Sequence, residues 1–144
     1  MSTGRLIGLD HGIKRIGIAI SDGSRTLARE VTILTRKTRV EDFAAINALA
    51  AKEEATGYVI GMPSSDAPEG VHTQADTVKL WIERFRETTS LPIVEWDEQL
   101  TSDDARDIAR QHKRKYDAPI DDLAARLILQ SFLNALHDDL ATFP

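Results

Sequence analysis

The chain of 144 residues contains no cysteine, which excludes disulfide bonds and thiolate metal sites. No apolar run approaches the ~20 residues of a membrane-spanning helix. The early apolar stretch is interrupted by Asp10, Lys14 and Arg15, so a signal peptide is not expected. Motifs of the GxxxxGK and HExxH types are missing, and the four histidines lack the spacing of zinc ligands. We therefore expect a soluble, cytoplasmic protein without membrane association.

Length and composition predict one domain over residues 1–144, with 42% hydrophobic and 28% charged residues as in ordinary globular proteins. The net charge of −5 argues against a nucleic-acid partner at first sight. However, residues 1–40 contain eight Lys and Arg against three acids. A chain polarised in this way can still bind a polyanion through its basic side.

A second basic cluster, RQHKRK at 110–115, interrupts the acidic part of the chain. Lys113 and Arg114 within it are candidate contacts to nucleic acid. The cluster is equally consistent with a solvated helix end, where bases complement the helix macrodipole. Both interpretations stay open.

The hydrophobic pattern predicts five strands and four helices. Strands are expected at 6–10, 16–20, 28–34, 58–62 and 92–97, and helices at 41–55, 73–87, 101–112 and 121–137. Gly57 is expected to end the first helix, Pro63 to close the fourth strand, and RKTR at 36–39 to form a polar loop. The order predicts an α/β fold with a mixed five-stranded sheet, its first three strands antiparallel, and helices on both faces.

Two predicted helices have apolar faces that we assign to the core. In the helix at 73–87 this face includes Trp81, which is interpreted as core rather than as a platform for a nucleobase. In the last helix the predicted stripe consists of Leu123, Ala124, Leu127, Ile128, Ser131, Ala135 and Leu136.

Asp10 ends the first strand, two residues before Gly12. A short carboxylate beside a glycine can reach a metal ion or a phosphate without crowding. Asp and Gly are also ordinary turn residues, so a purely structural role remains open at this point.

Acidic residues recur at two other predicted element ends, Asp97-Glu98 after the fifth strand and Asp121-Asp122 at the start of the last helix. If the first strand is central, these groups can lie near Asp10. Clustered carboxylates repel one another unless a cation lies between them, and two Mg²⁺ or Mn²⁺ ions about 4 Å apart support phosphodiester hydrolysis. Alternatively, Asp121 is a helix N-cap and Asp97 and Glu98 are solvated loop acids.

Four motifs occur in a recognisable order. They are GLDHG followed by KRIGIA and SD (8–22), GMP (61–63) with Gly70, DEQLTS (97–102), and a block at 120–130 with Asp121 near its start. Together they closely resemble the YqgF/RuvX family of Holliday junction resolvases and pre-16S rRNA nucleases. The resemblance covers residues 6 to about 133 and implies an RNase H-like fold with metal-dependent cleavage of nucleic acid.

The resemblance also implies roles for individual residues. Asp10, Glu98 and Asp121 would be catalytic and would bind Mg²⁺ or Mn²⁺, as two ions, while neighbouring Asp122 and Asp97 could share or exchange these roles. Lys14 and Arg15 would contact the phosphate backbone. The structural turn positions are Gly12, Gly61, Pro63 and Gly70.

Two departures from the family pattern concern the third motif. Gln99 replaces the usual Arg and Ser102 the usual Thr, so a bidentate phosphate contact is missing if that Arg makes one. In addition, Asp66 and Glu69 place negative charge in the loop after the fourth strand.

The leading functional hypothesis is a nuclease acting on structured RNA, which processes the 5′ end of pre-16S rRNA in ribosome biogenesis. Its partners would be structured RNA or branched DNA and the pre-ribosomal particle, and it would act as a monomer or homodimer. A dimeric Holliday junction resolvase and a non-catalytic nucleic-acid-binding or ribosome-assembly factor are alternatives. An actin-like ATPase would need a second domain and a second phosphate loop, for which 144 residues leave no room.

Overall fold

The computed structural model describes residues 3–63, 68, 70–97 and 118–144. Within this part of the chain there are five strands and three helices. In chain order they are β1 (Leu6–His11), β2 (Arg15–Ser21), β3 (Ala28–Thr35), α1 (Arg39–Lys52), β4 (Gly57–Met62), α2 (Gln74–Arg86), β5 (Ile93–Asp97) and α3 (Asp121–His137). The helix predicted for 101–112 lies outside the described residues.

The strands form one sheet in the order β3-β2-β1-β4-β5. β1, β2 and β3 pair antiparallel, whereas β4 pairs parallel with both β1 and β5. This confirms the predicted mixed sheet, and the first strand is central, as the proposed meeting of the acidic groups requires. Consequently, the C-terminal ends of β1, β4 and β5 meet at one edge of the sheet.

Side chains of β1 alternate between the two faces of the sheet, as the two-residue period of a strand requires. Ile7 and Leu9 belong to the core beneath α1 and α2, whereas Leu6 belongs to the core beneath α3. Helices therefore cover both faces, as predicted.

The core beneath α1 and α2 is rich in aromatic rings. Trp81 and Phe85 of α2 lie against Phe43 of α1, with ring centroids 5.3 Å apart in each pair. Trp81 is 3% exposed, which confirms its assignment to the core. A capping box between Thr73 and Asp76 begins α2 one residue after the predicted start.

The prediction that Gly57 ends the first helix is wrong. Glu53 is the C-cap of α1, and Glu54 takes the left-handed conformation (φ 55°). The amide of Ala55 then donates to the carbonyl of Ala50 at 2.8 Å, which is the bonding pattern of a Schellman motif. Gly57 is instead the first residue of β4.

The stripe predicted for the last helix is only partly correct. Leu123, Ile128 and Ala135 are buried, but the rest of the buried face lies on other residues. That remainder consists of Asp122, Ala125, Leu129, Phe132 and Leu133. Among the described residues, no helix combines the length and apolar character needed to cross a bilayer.

Candidate functional site

Asp10 lies opposite Gly17 in the antiparallel ladder of β1 and β2. Directly opposed residues of such a pair project their side chains from the same face of the sheet. On that face Gly17 lies against the first turn of α3, so closely that an added Cβ would overlap the carbonyl group of Asp121 and lie 2.8 Å from the amide nitrogen of Asp122. Since paired strands are about 5 Å apart, Asp10 and the start of α3 share one corner of the molecule.

Asp121 is the first residue of α3, and Ile120 is the N-cap. The interpretation of Asp121 as an N-cap is therefore wrong. Its carboxylate Oδ2 instead accepts a hydrogen bond of 2.9 Å from Nε of Arg15, the first residue of β2. This ion pair connects the first of the four motifs with the last, across 106 positions of the chain. Two residues predicted for different roles, metal ligand and phosphate contact, thus bind each other here.

Asp122 is 7% exposed, a rare degree of burial for a carboxylate. Its Oδ1 accepts from the amide of Leu123 at 2.9 Å. Acidic side chains in the first turn also complement the positive end of the helix macrodipole. The start of α3 therefore places two adjacent acidic residues with their backbone against Gly17, the ladder partner of Asp10.

The turn between β1 and β2 is held in place by hydrogen bonds. The amide of Gly12 donates to the carbonyl of Arg15 at 2.9 Å, and a Cβ at Gly12 would come within 2.5 Å of that oxygen. The guanidinium of Arg36 donates to the carbonyl of Gly12 at 3.0 Å. Lys14 is exposed on this turn, one residue from the ion-paired Arg15.

Sequence reasoning missed the groups that support this turn. Arg36 had been assigned to a polar loop, yet its Nε lies 3.7 Å from Oδ2 of Asp42, which is only 2% exposed. Oδ1 of Asp42 also accepts from the amide of Lys37 at 3.0 Å. The only sequence signal was a basic run followed closely by an acid, a pattern that is common on solvated surfaces.

His11 follows Asp10 and is buried beneath Trp81, with ring centroids 4.9 Å apart. Burial, assisted by the positive charge of Arg36, lowers the pKa of His11 to about 4. The imidazole is therefore neutral at pH 7 and adds no positive charge beside Asp10.

Asp97 ends β5, in register with Met62 of β4. Val94 and Trp96 pack on the α3 side of the sheet, so strand alternation puts Asp97 on the opposite face from Asp10. The structure thus does not bring Asp97 to the corner of Asp10 and Asp121. Glu98, Lys113 and Arg114 lie outside the described residues, as do Gln99 and Ser102, and their roles stay predictions.

Pro63, Gly70 and Gly61 were also predicted as turn positions. Pro63 follows the last residue of β4, and Gly70 has a φ of 86°, which favours glycine. The prediction for Gly61 is wrong, because this residue lies inside β4 and pairs with Trp96. A Cβ at Gly61 would come 2.6 Å from Cδ1 of Ile128, so the glycine permits close packing of α3.

Asp10, Asp121 and Asp122 offer the oxygen ligands that Mg²⁺ and Mn²⁺ prefer. Among the described residues, no group of three acidic or histidine side chains is close enough together to hold a metal ion. The donor chemistry fits a hard divalent cation, but within the described residues these three side chains are not grouped closely enough to hold one.

The sequence profile of a family described as "RuvX: Holliday junction resolvase" matches residues 4–135. The chain belongs to the RuvX family. A protein named "Putative pre-16S rRNA nuclease" from Caldanaerobacter subterraneus subsp. tengcongensis is 38% identical, over 91% of this chain and 96% of that protein. A protein of the same name from Rhodopseudomonas palustris (strain BisA53) is 40% identical, over 93% of this chain and 83% of that protein. The predicted family is thus confirmed.

The RuvX chain also resembles solved structures. T. thermophilus RuvC in complex with a Holliday junction substrate superposes with a TM-score of 0.66 at 9% identity, covering 96% of this chain and 98% of that chain. The fowlpox virus resolvase in complex with Holliday junction DNA gives 0.52 at 11% identity, covering 92% and 98%. These likenesses confirm the predicted RNase H-like fold.

Proposed function

We propose that this RuvX-family chain is a metal-dependent nuclease that hydrolyses phosphodiester bonds of structured RNA and processes the 5′ end of pre-16S rRNA. The observation that carries the proposal is the corner formed by Asp10, Gly17 and Asp121. There the backbone of the last helix lies against the ladder partner of Asp10, which supports a shared site for the two acids, in a chain whose relatives bear the name of such a nuclease. We accordingly place the protein in the cytoplasm, acting on the pre-ribosomal particle.

Asp10, Asp121 and Asp122, with Glu98 from the undescribed part of the chain, would hold Mg²⁺ or Mn²⁺, as two ions. Bound there, the metal supplies activation of a water molecule and stabilisation of the leaving oxygen. The protein's own contribution is position. Gly17 allows α3 to approach β2, and the bonded turn at Gly12 fixes the end of β1.

Arg15 connects the carboxylates with the substrate in this proposal. Its ion pair with Asp121 is partly exposed, with side chains 42% and 21% accessible, and such pairs contribute about 1 kcal/mol or less. So weak a pair would let Arg15 exchange Asp121 for a phosphate group. Its guanidinium, together with Lys14, would then bind phosphate oxygens of the substrate.

The test is cleavage of a precursor RNA with a 5′ extension by purified protein in Mg²⁺ or Mn²⁺. Asp10→Asn, which removes one negative ligand and keeps the size of the side chain, is expected to abolish cleavage. Asp138→Asn makes the same chemical change just past the end of α3, where the residue is exposed, and should cut like the wild type. Equal cleavage by Asp10→Asn and wild type would contradict the assigned role.

A Holliday junction resolvase is the second candidate, favoured by the description of the matching family. It requires a symmetric dimer with two active sites on one junction. Cleavage of a synthetic four-way junction by a dimer, without cleavage of precursor RNA, would establish it instead. Salt-sensitive RNA binding without metal-dependent turnover would indicate a non-catalytic assembly factor, for which Gln99 is the sequence signal.

A further inference from the structure

Basic residues of two separate segments meet at the β1–β2 turn. The amide of Arg36, just after β3, donates to the carbonyl of Lys14 in the β1–β2 turn at 3.0 Å. Lys37 and Arg39 follow within three residues, at the start of α1. Lys14, Lys37 and Arg39 are exposed, and we call these three residues the basic edge.

The backbone that carries the basic edge is fixed by partly buried and buried groups. The guanidinium of Arg36 donates to the turn carbonyl of Gly12 at 3.0 Å and lies beside the buried carboxylate of Asp42. That carboxylate also accepts from the amide of Lys37. Because Asp42 is only 2% exposed, its negative charge faces Arg36 and the backbone rather than a ligand in solvent.

Two further features suit a nucleic acid at this surface. Ile13 and Val40, in the same two segments, are 78% and 79% exposed. Exposed apolar side chains therefore neighbour the cations, and in a nucleic acid the less polar sugars and nucleobases neighbour the phosphates in the same way. Arg39 is the first residue of α1, where positive charge opposes the helix macrodipole. A positively charged side chain at the first position destabilises the helix taken by itself. We therefore infer that Arg39 has a role other than stabilising the fold.

We propose that the basic edge binds the phosphate backbone of the RNA where it passes the β1–β2 turn and the start of α1. This inference rests on the proposed function, since it extends the substrate contact from Lys14 to Lys37 and Arg39. The bound strand lies across the turn next to Asp10, on the β3 side of the sheet. Phosphate contacts of this kind position the substrate and carry no sequence preference.

The test measures RNA binding without turnover. Every protein carries Asp10→Asn, and the probe is the labelled precursor RNA, titrated by fluorescence anisotropy between about 50 and 200 mM salt. Lys37→Gln/Arg39→Gln removes two charges of the basic edge. Lys52→Gln/Arg86→Gln removes the same charge from exposed residues at the opposite ends of α1 and α2, roughly 20 Å from the starts of those helices. Thermal unfolding checks that each variant is folded.

We expect the Lys37/Arg39 variant to bind roughly 10-fold or more weakly and to lower the slope of log K against log salt by about 2, because each phosphate contact contributes ~0.9. The Lys52/Arg86 control should bind like the parent. The Lys37/Arg39 variant should not unfold at a lower temperature, because Arg39 is unfavourable at the start of α1.

Equal losses in both pairs would overturn the inference, since the effect would then reflect net charge alone. Unchanged binding by the Lys37/Arg39 variant would also overturn it. In either case RNA cleavage by the wild type would leave the proposed function standing. A wild type that neither binds nor cuts the RNA would overturn both.

Discussion

Gly17→Ala tests whether close packing of α3 against β2 assembles the candidate site. The added Cβ would lie 2.8 Å from the amide nitrogen of Asp122, where ordinary contact begins near 3.4 Å, and the carbonyl oxygen of Asp121 lies nearer still. Because that oxygen sets the requirement, the start of α3 would have to retreat by roughly 1.5 Å, and a backbone cannot rotate away as a flexible side chain could. Asp121 would move with it, whereas Asp10 would remain on β1.

Two quantities should change together. Overpacking of this kind costs about 1–3 kcal/mol of unfolding free energy, which corresponds to a fall of roughly 2–12 °C in Tm for a chain of this size. A displacement of about 1 Å in a catalytic group lowers the rate by roughly 100-fold. Calorimetry and RNA cleavage at a temperature where the variant is fully folded measure the two effects separately.

Gly23→Ala is the matched control, because no atom lies within 4 Å of a Cβ added at that glycine. It should keep both the Tm and the rate of the wild type. A Gly17→Ala protein with wild-type Tm and wild-type cleavage would refute the argument that this contact sets the distance between Asp10 and Asp121.

Two further predictions concern the second acid and the core. Glu98→Gln should lower cleavage by about 100-fold or more, as expected for loss of a metal ligand. Asp97→Asn should retain most activity, because Asp97 lies on the opposite face of the sheet from Asp10. The reverse result would exchange the roles of Glu98 and Asp97. Burial raises the pKa of Tyr58 to about 12, and its hydroxyl donates to Oδ1 of Asn47 at 2.8 Å. Because the unfolded chain loses this proton near pH 10 and the folded chain only near pH 12, folding stability should fall as pH rises through that window. Tyr58→Phe should reduce this decline in denaturant titrations, and an unchanged decline would show that Tyr58 is not its source.

The sheet could be predicted from sequence because strand periodicity is a local signal. Leu6, Ile7 and Leu9 lead into Asp10, and Ile16, Ile18 and Ile20 repeat every second residue. Short links between the first three strands then leave the antiparallel arrangement as the economical one. The face of α2 was predicted for the same reason, since its polar side is strongly charged and leaves one apolar stripe.

The last helix was harder because apolar residues surround much of it. The helical period is equally consistent with a buried face that contains Ala124 and Leu127 and with one that contains Ala125 and Leu129. The structure buries Ala125 and Leu129. Which residues are buried depends on the glycines of the sheet. Leu129 packs against Gly8 so closely that a Cβ added at Gly8 would lie 2.7 Å from the Cβ of Leu129. Such pairing between distant parts of the chain has no local signal.

Glycines at 57 and 61 were misassigned for a related reason. Both were interpreted as turn or helix-end residues, although they lie in β4 beneath other side chains. Ring carbons of Phe143 lie 3.0 Å from a Cβ added at Gly57, and Ile128 occupies the corresponding space at Gly61. A glycine that permits close packing and a glycine that permits a turn look the same in sequence.

The acidic members of the candidate site could be proposed from sequence, whereas the contacts around them could not. The family motifs identified Asp10 and Asp121, and the paired register placed them at one corner. The bond from Arg15 to Asp121 spans 106 positions and depends on the tertiary approach of α3. The support of the β1–β2 turn by Arg36 and Asp42 likewise depends on the pairing of β3 with β2, which brings Arg36 to Gly12.

The central claim is that Asp10 and Asp121 bind the same divalent metal ion. Crystals soaked in Mn²⁺ and measured by anomalous diffraction test it most directly. We predict an anomalous peak at this corner, about 2.0–2.2 Å from carboxylate oxygens of both residues, with the guanidinium of Arg15 moved away from Asp121. Mn²⁺ bound elsewhere, or carboxylates of Asp10 and Asp121 more than about 8 Å apart in the presence of Mn²⁺, would contradict the claim.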